Sequence, residues 1–264
     1  MDRAAFKLIL LGIFLISAIS DVVKKQNVKM YHFHINSTVT SRYATTVIRS
    51  HVGNMLAESQ EIHFAVKIPK NAFISKFRMI IDGKTYDGVV KANREAKQQY
   101  IQAVSRGESA GLVRSVGRTL EDFKTSVTIA ALSKVTFELT YEELLKRRLG
   151  KYELLINACP MQPVANFKID VHIHEQPGIS FLDVKGDLSA NDLAGAINAT
   201  RADKDAWVTF HPTRDQQTTC KGCAENGLSG DLLVTYDVER LNPNGEITSK
   251  ERRERKFCAL PNNF

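Results

Sequence analysis

The sequence lacks the phosphate-binding loops that mark nucleotide-dependent enzymes. Neither a Walker loop nor a G-x-G-x-x-G fingerprint occurs in its 264 residues. Asp237 and Glu239 share one face of an extended segment, but paired carboxylates of this kind are typical of a solvated surface. These observations predict a protein that is not an enzyme and that needs no cofactor.

Long apolar runs are also scarce. The run Leu8–Ile16 is shorter than the roughly 20 residues that a helix needs to cross a bilayer. It follows Arg3 and Lys7 and precedes the small-x-small sequence 18–20, which is the arrangement of a secretory signal peptide. We predict a signal peptide at residues 1–20, a mature chain that begins near Asp21, and a secreted, extracellular protein without a membrane span. The alternative interpretation of this run is a membrane anchor.

The chain has only four cysteines, Cys159, Cys220, Cys223 and Cys258. Secretion would place them in an oxidising compartment. A zinc site would need a second ligand pair near Cys220 and Cys223, and a redox pair would need a βαβ context; neither is evident. We predict a disulfide between Cys220 and Cys223 that closes a small loop. The pairing of Cys159 and Cys258 stays open.

Two sequons can accept an N-linked glycan in a secreted protein. They are Asn36-Ser37-Thr38 and Asn198-Ala199-Thr200. Asn198 lies in a polar stretch and is predicted to be the main site. Asn36 is predicted at the end of a strand, where access could be blocked.

Basic residues outnumber acidic ones, 36 to 29, which gives a formal net charge of +7. In an extracellular protein this balance favours polyanions such as sulfated glycans or hyaluronan over nucleic acid. Ordinary solubility accounts for the same excess. Charge alone therefore does not choose between a glycan-binding protein and a merely soluble one.

Apolar and polar residues alternate along most of the chain, which predicts a mostly β fold. Tyr31–Ile35 and Glu61–Ile68 are clear examples. Asp82-Gly83 predicts a tight hairpin turn. The segments 135–141 and 151–157 are both strand-like, and we expect them to form a long hairpin with a charged end.

One segment, Lys91–Arg106, changes period. Its less polar residues recur at helical spacing, and Gly107 follows as a natural stop. The sequence therefore predicts one amphipathic helix packed on a β structure.

Two pairs of histidines each share one face of a strand. They are His32 with His34, and His172 with His174. Two such pairs could build a metal site, but they are distant in sequence and no carboxylate stands at a convincing spacing. The favoured interpretation is partly exposed strand histidines, so no metal ligand is predicted.

Three blocks in order resemble the VIT domain, the N-terminal module of the inter-alpha-trypsin inhibitor heavy chains. They are residues 35–48 (INSTVTSRYATTVI), residues 81–113 and residues 134–154. Residues 167–184, 209–223 and 229–240 are similar to the region that follows that domain. The resemblance covers roughly residues 28–240. It implies a β-sandwich-like VIT domain with one packed helix at 28–158 and a smaller β unit at 159–247.

The resemblance also implies a function. Heavy chains of this family are joined to chondroitin sulfate on a Kunitz-type light chain and can be transferred to hyaluronan, which stabilises pericellular matrix. The protease-inhibiting loop belongs to the light chain. We therefore expect a structural or interaction protein of hyaluronan metabolism within a protease-inhibitor complex. The alternative is a stand-alone β module that binds glycosaminoglycans.

The sequence departs from the family pattern after its last strand-like segment. The D-x-S-x-S metal motif of the family's von Willebrand A domain is absent, and so is the Asp-Pro-His attachment motif. Residues 248–264 form a basic tail that does not resemble the family. We expect a chain truncated before the von Willebrand A domain, with the strand at Leu232–Val238 left at an incompletely covered sheet edge.

Overall fold

The structure is a computed structural model that describes residues 28–88, 111–116, 120–219 and 226–239. The strands in these segments are β1 (Val28–Thr40), β2 (Tyr43–Asn54), β3 (Gln60–Pro69), β4 (Phe73–Ile81), β5 (Lys84–Asp87), β6 (Gly111–Val116), β7 (Leu120–Ile129), β8 (Lys134–Leu144), β9 (Arg147–Arg148), β10 (Lys151–Ala158), β11 (Asn166–His174), β12 (Ile179–Lys185), β13 (Ile197–Arg201), β14 (Asp205–Phe210) and β15 (Gly230–Val238). Two short 3-10 helices, Asp187–Ser189 and Asn191–Ala196, and one helical turn, Gln216–Thr219, complete them.

The prediction of a mostly β fold is confirmed. The predicted amphipathic helix at 91–106 lies outside the described residues. Among the segments that the structure describes, no helix is long and apolar enough to cross a membrane.

The largest sheet has eight strands in the order β13-β14-β11-β1-β2-β8-β4-β5. Strand β1 pairs antiparallel with β2 and parallel with β11. Because successive side chains of a strand point to opposite faces, Ile35 and Val39 are buried on one face while Asn36 and Thr38 are exposed on the other. One face of this sheet therefore belongs to the core and the other is polar.

Tight turns set the register at two places in this sheet. Ser41 and Arg42 both have positive φ, 49° and 57°, and Thr40 pairs directly with Tyr43 across the turn. Asp82 and Gly83 also have positive φ, 46° and 85°, between β4 and β5. The hairpin predicted at Asp82-Gly83 is confirmed, since two left-handed positions match the twist of the flanking strands.

The remaining strands form a four-stranded sheet, β12-β15-β10-β9, and a three-stranded sheet, β3-β7-β6. Phenylalanine rings join the three-stranded sheet to the eight-stranded one. Phe64 of β3 stacks on Phe137 of β8 with ring centroids 4.9 Å apart, and Phe123 of β7 lies 5.0 Å from Phe77 of β4. These contacts fill the core between the two sheets.

The prediction that residues 135–141 and 151–157 form a long hairpin is wrong. Strand β8 lies between β2 and β4, whereas β10 lies between β15 and β9 in another sheet. The buried Leu145 takes the chain out of the first sheet, and a turn at Leu149 and Gly150, both with positive φ, starts the second. The alternation of apolar and polar residues identified both strands correctly, but it did not indicate which strands they pair with.

The expectation of an uncovered edge at Leu232–Val238 is also wrong. These residues belong to β15, which pairs with β10 on one side and with β12 on the other. Leu232, Val234 and Tyr236 are fully buried. The segment Ile179–Lys185 supplies the second partner, so the strand is an interior one.

The two units predicted at 28–158 and 159–247 share sheets. Strand β11 of the second unit pairs with β1 of the first, and β15 of the second pairs with β10 of the first. The described parts of both units therefore contribute to common sheets.

Candidate functional site

The polar face of the eight-stranded sheet, called the open face below, holds most of the chain's histidines. Five of the seven histidines lie there, on the adjacent strands β2, β1 and β11. All five are half-buried: His51, His32, His34, His172 and His174. Of the other two, His63 is exposed on β3 and His211 follows the end of β14. The fold thus gathers on one surface side chains that are scattered in sequence.

Three of these histidines form a cluster. His32 and His51 are direct cross-strand partners, with ring centroids 4.7 Å apart in an edge-to-face arrangement. The His34 ring lies 5.9 Å from His32. Burial lowers the pKa of His32, and His51, His34 and Arg49 lower it further. Burial and then Arg49 lower the pKa of His51. These two imidazoles are therefore neutral at neutral pH.

The second histidine pair shares one carboxylate. Asp205 Oδ1 lies 2.8 Å from His172 Nε2 and 3.0 Å from His174 Nδ1. The hydrogen bonds from His174 and then His172 lower the pKa of Asp205. His172 also stacks on Trp207, with ring centroids 5.3 Å apart and planes 8° apart. Trp207 remains 43% exposed, so an aromatic ring borders this part of the open face.

A row of ion pairs crosses the same face. Arg78 bonds Asp87 at 2.7 Å, and Arg49 bonds Glu138 at 2.5 Å. Further along the sheet, Asp170 Oδ2 lies 2.8 Å from Lys168 Nζ and 2.8 Å from His34 Nε2. Three cations and three carboxylates therefore balance along this row.

Both predicted glycan acceptors lie on the open face. Asn198 is exposed on the edge strand β13, where it pairs with Thr209. Asn36 is exposed in the middle of β1, between Val47 of β2 and Asp170 of β11. The expectation that Asn36 lies at the end of a strand is wrong, because β1 continues to Thr40.

Only one of the four cysteines, Cys159, lies in the part of the chain that the structure describes. Cys220, Cys223 and Cys258 lie outside the described residues, so the predicted disulfide stays a prediction. Cys159, half-buried, has no disulfide partner within the described residues, and its sulfur lies 3.4 Å from that of Met161.

The two histidine pairs have different partners. In residues 28–88, 111–116, 120–219 and 226–239, no group of three or more histidine, cysteine, aspartate or glutamate side chains could hold a metal ion. Asp205 is hydrogen-bonded by His172 and His174, whereas His32 and His51 contact each other.

A serine motif lies just before strand β6 in the sequence. Residues 107–111 read G-E-S-A-G, which has the spacing of a nucleophile elbow. An elbow joins a strand to a following helix, whereas here the predicted helix precedes the motif and strand β6 begins at Gly111. Ser109 itself lies outside the described residues.

Sequence reasoning found four of the five histidines but missed His51, Arg49, Asp205 and Trp207. The two-residue turn at Ser41-Arg42 places His51 opposite His32, because residues equidistant from such a turn pair with each other. Ser-Arg is not one of the residue pairs that mark such a turn in a sequence, so this pairing had no local signal either. The partners on β11 and β14 carried no local signal.

A model of the Vault protein inter-alpha-trypsin domain matches residues 30–141, so the chain contains a VIT domain. The chain is 48% identical over 217 residues to inter-alpha-trypsin inhibitor heavy chain H3 of Homo sapiens, covering 82% of this chain and 24% of that one. It is 44% identical over 224 residues to heavy chain H4 of Homo sapiens, covering 85% of this chain and 24% of that one.

The chain belongs to the inter-alpha-trypsin inhibitor heavy chain family. It spans about a quarter of the length of the curated relatives that it matches. Among solved structures, a Legionella pneumophila protein described as nutrient-binding has a TM-score of 0.45 and 10% identity, over 80% of this chain and 67% of that one. A likeness of this size carries no functional argument.

Proposed function

We propose that this protein is a secreted, non-catalytic interaction protein of the extracellular matrix that takes part in hyaluronan metabolism. Its relationship to the heavy chains, 48% identity over 217 residues, carries this proposal. The expected partners are a Kunitz-type light chain that bears chondroitin sulfate, and hyaluronan. Protease inhibition would come from the light chain of the complex.

The chemistry of individual residues fits an extracellular chain. We propose an N-linked glycan on Asn198, and a second one on Asn36, because both side chains are exposed on the open face. We also propose a signal peptide at 1–20, a disulfide between Cys220 and Cys223, and a β-sandwich VIT domain at 28–158 with the helix at 91–106 packed on it. Residues 159–247 would then complete the shared sheets, with a basic tail at 248–264.

Retention by pericellular matrix tests the proposed function. The full chain is expressed in mammalian cells that make a hyaluronan coat, and the washed coat is then digested with hyaluronidase. The protein is expected to remain in the washed coat and to be released into the supernatant by hyaluronidase. It should be absent from the supernatant of a washed coat that is not digested. Absence from the washed coat, or retention that hyaluronidase leaves unchanged, would contradict the proposal. Peptide mapping of the secreted protein reports the two glycans and the disulfide in the same sample.

A stand-alone module that binds glycosaminoglycans is the second candidate. The gathering of five half-buried histidines on one open face favours it, since imidazole N–H groups can donate hydrogen bonds to an anionic chain. It predicts retention on immobilised heparin at low salt that is lost by about 0.5 M salt, where exposed charges are screened. Absence of retention at low salt would remove this candidate.

A further inference from the structure

The indole ring of Trp207 stands on the open face with one of its two sides covered. His172 of β11 is its direct cross-strand partner, and the two rings stack with their planes 8° apart. Asp205 Oδ1, 2.8 Å from His172 Nε2, holds the imidazole in this position. The indole nevertheless remains 43% exposed. Because β14 lies between β11 and β13, the uncovered side of the ring is turned towards β13.

Strand β13 presents short side chains to this uncovered side. Thr200 pairs directly with Trp207, and Asn198 pairs with Thr209, two residues further along β14. Directly opposed residues of an antiparallel pair share a face, so Asn198 and Thr200 both lie on the open face, where both are exposed. Thr209 Oγ1 donates to Asp170 Oδ1 at 3.1 Å, on the side away from β13. The space beside the ring is therefore left to Asn198 and to what its side chain carries.

Asn198 and Trp207 form a diagonal pair on neighbouring strands. The residues of such a pair are about 7–8 Å apart, with their Cβ atoms somewhat closer. An N-linked glycan is attached to the side-chain amide through N-acetylglucosamine, so its first sugar ring starts within this gap. The C–H face of a sugar ring is apolar and slightly positive, whereas the face of an indole ring is negative. The two surfaces therefore attract each other when they stack.

We propose that the uncovered side of Trp207 is a binding site for the first N-acetylglucosamine of a glycan on Asn198, and that this contact holds the glycan over β13. The inference rests on the modification proposed at Asn198 and adds the surface that receives the sugar. Among the described strands, β13 is the outermost of its sheet. Exposed sheet edges pair readily with other chains, and a glycan held over β13 would oppose such pairing.

Trp207 is the only tryptophan of the chain, so tryptophan fluorescence reports on this site alone. The full chain is secreted from mammalian cells, and mass spectrometry identifies the fraction that carries a glycan on Asn198. Quenching by acrylamide is then compared between this fraction and the variant Asn198→Gln. The quenching constant is expected to be about half as large with the glycan in place, because the sugar covers most of the exposed part of the ring.

Asn36→Gln is the matched control. Asn36 also lies exposed on the open face, but β11 and the stacked His172 separate it from the uncovered side of Trp207. Loss of the glycan proposed at Asn36 should therefore leave the quenching constant unchanged.

A second measurement does not depend on the folding of a variant. The wild-type chain is made with high-mannose glycans, and the folded protein is trimmed enzymatically to a single N-acetylglucosamine at Asn198. This one sugar should keep the ring of Trp207 protected from acrylamide. NMR should also show nuclear Overhauser effects between the protons of the sugar and those of the indole.

Three results would overturn the inference. An Asn198 that carries no glycan would refute both the inference and the proposed modification. A glycosylated protein that is quenched as strongly as Asn198→Gln, and that shows no contact between sugar and indole, would refute the inference alone. An equal effect of Asn36→Gln would also refute it, since the sugar that covers the ring would then not be the one on Asn198.

Discussion

The hydroxyl of Tyr236 donates a hydrogen bond to Glu175 Oε1 at 2.7 Å, inside the protein. The same carboxylate oxygen accepts the backbone N–H of Arg42 at 2.8 Å. Tyr236 belongs to β15 of the four-stranded sheet, whereas Arg42 forms the turn between β1 and β2 of the eight-stranded one. One buried carboxylate therefore ties the two sheets together.

Loss of this bond should destabilise the fold. Burial and the charge of Glu175 raise the pKa of Tyr236, so its hydroxyl remains a donor across the physiological range. Tyr236→Phe removes the donor and leaves Glu175 less well satisfied, at a cost of about 1–3 kcal/mol in the free energy of unfolding. Urea denaturation measures it, with Tyr31→Phe on the open face as the control. Equal effects of the two substitutions would show that the bond contributes nothing particular.

Gln217 should contribute as much to the stability of the fold as a hydrophobic core residue. Its buried side-chain amide accepts the N–H of Val164 at 2.8 Å and donates to the carbonyl of Val164 at 3.0 Å. Gln217→Met keeps the length of the side chain but leaves both buried backbone groups without this partner, at a cost of about 2–4 kcal/mol. The exposed Gln176→Met serves as the control in thermal unfolding. A melting temperature lowered no more than in the control would contradict this assignment.

Gly186 should tolerate no side chain. It has φ of +112°, and a Cβ there would collide with the backbone carbonyl of Asp231 in β15. Gly186→Ala is therefore expected to cost about 3 kcal/mol or more, since both strain and overlap oppose it. Gly195→Ala is the matched control, because a Cβ at Gly195 meets nothing within 4 Å. Chemical denaturation measures the free energy of unfolding of both variants. Similar values for the two would refute the expected clash at Gly186.

Glu143 should make stability depend on pH. Burial raises its pKa from 4.5 to about 7, partly opposed by the hydrogen bond from Asn71. A carboxyl whose pKa is higher in the folded state favours folding fully below pH 4.5, and this contribution is lost as pH rises to about 7. The loss amounts to about 3 kcal/mol at most.

Glu143→Gln removes this ionisation. Relative to the wild type, the variant should gain stability as pH rises from about 5 to about 8, and the gain should level off above the raised pKa. Unfolding free energies measured across this range test it, with Glu153→Gln, at a half-buried position on β10, as the control. A difference between variant and wild type that stays constant with pH would contradict the raised pKa.

Much of the local structure was predictable because its causes are local. The alternation of Ile35 and Val39 with Asn36 and Thr38 determines which side chains can be buried in an extended strand. Asp82-Gly83 suffices for a hairpin, since both residues tolerate positive φ. The resemblance to the VIT domain likewise depended on ordered blocks of residues, and the comparisons confirm it.

The partners of the strands were not predictable in the same way. Nothing near Leu232–Val238 indicates that β12 covers its free side, and nothing near 135–141 indicates that β8 and β10 separate. The candidate site depends on such partners. His34 and Asp170 are far apart in sequence and come within 2.8 Å because β1 pairs with β11.

The sequence by itself determined most of the strand-forming segments, the alternation of buried and exposed side chains along them, and the family. Only the tertiary structure decided that β15 is an interior strand and that five histidines share one open face. The physical reason is that every strand offers the same backbone donors and acceptors along its edges. The choice of neighbour therefore depends on how the whole core packs, which no short stretch of residues encodes.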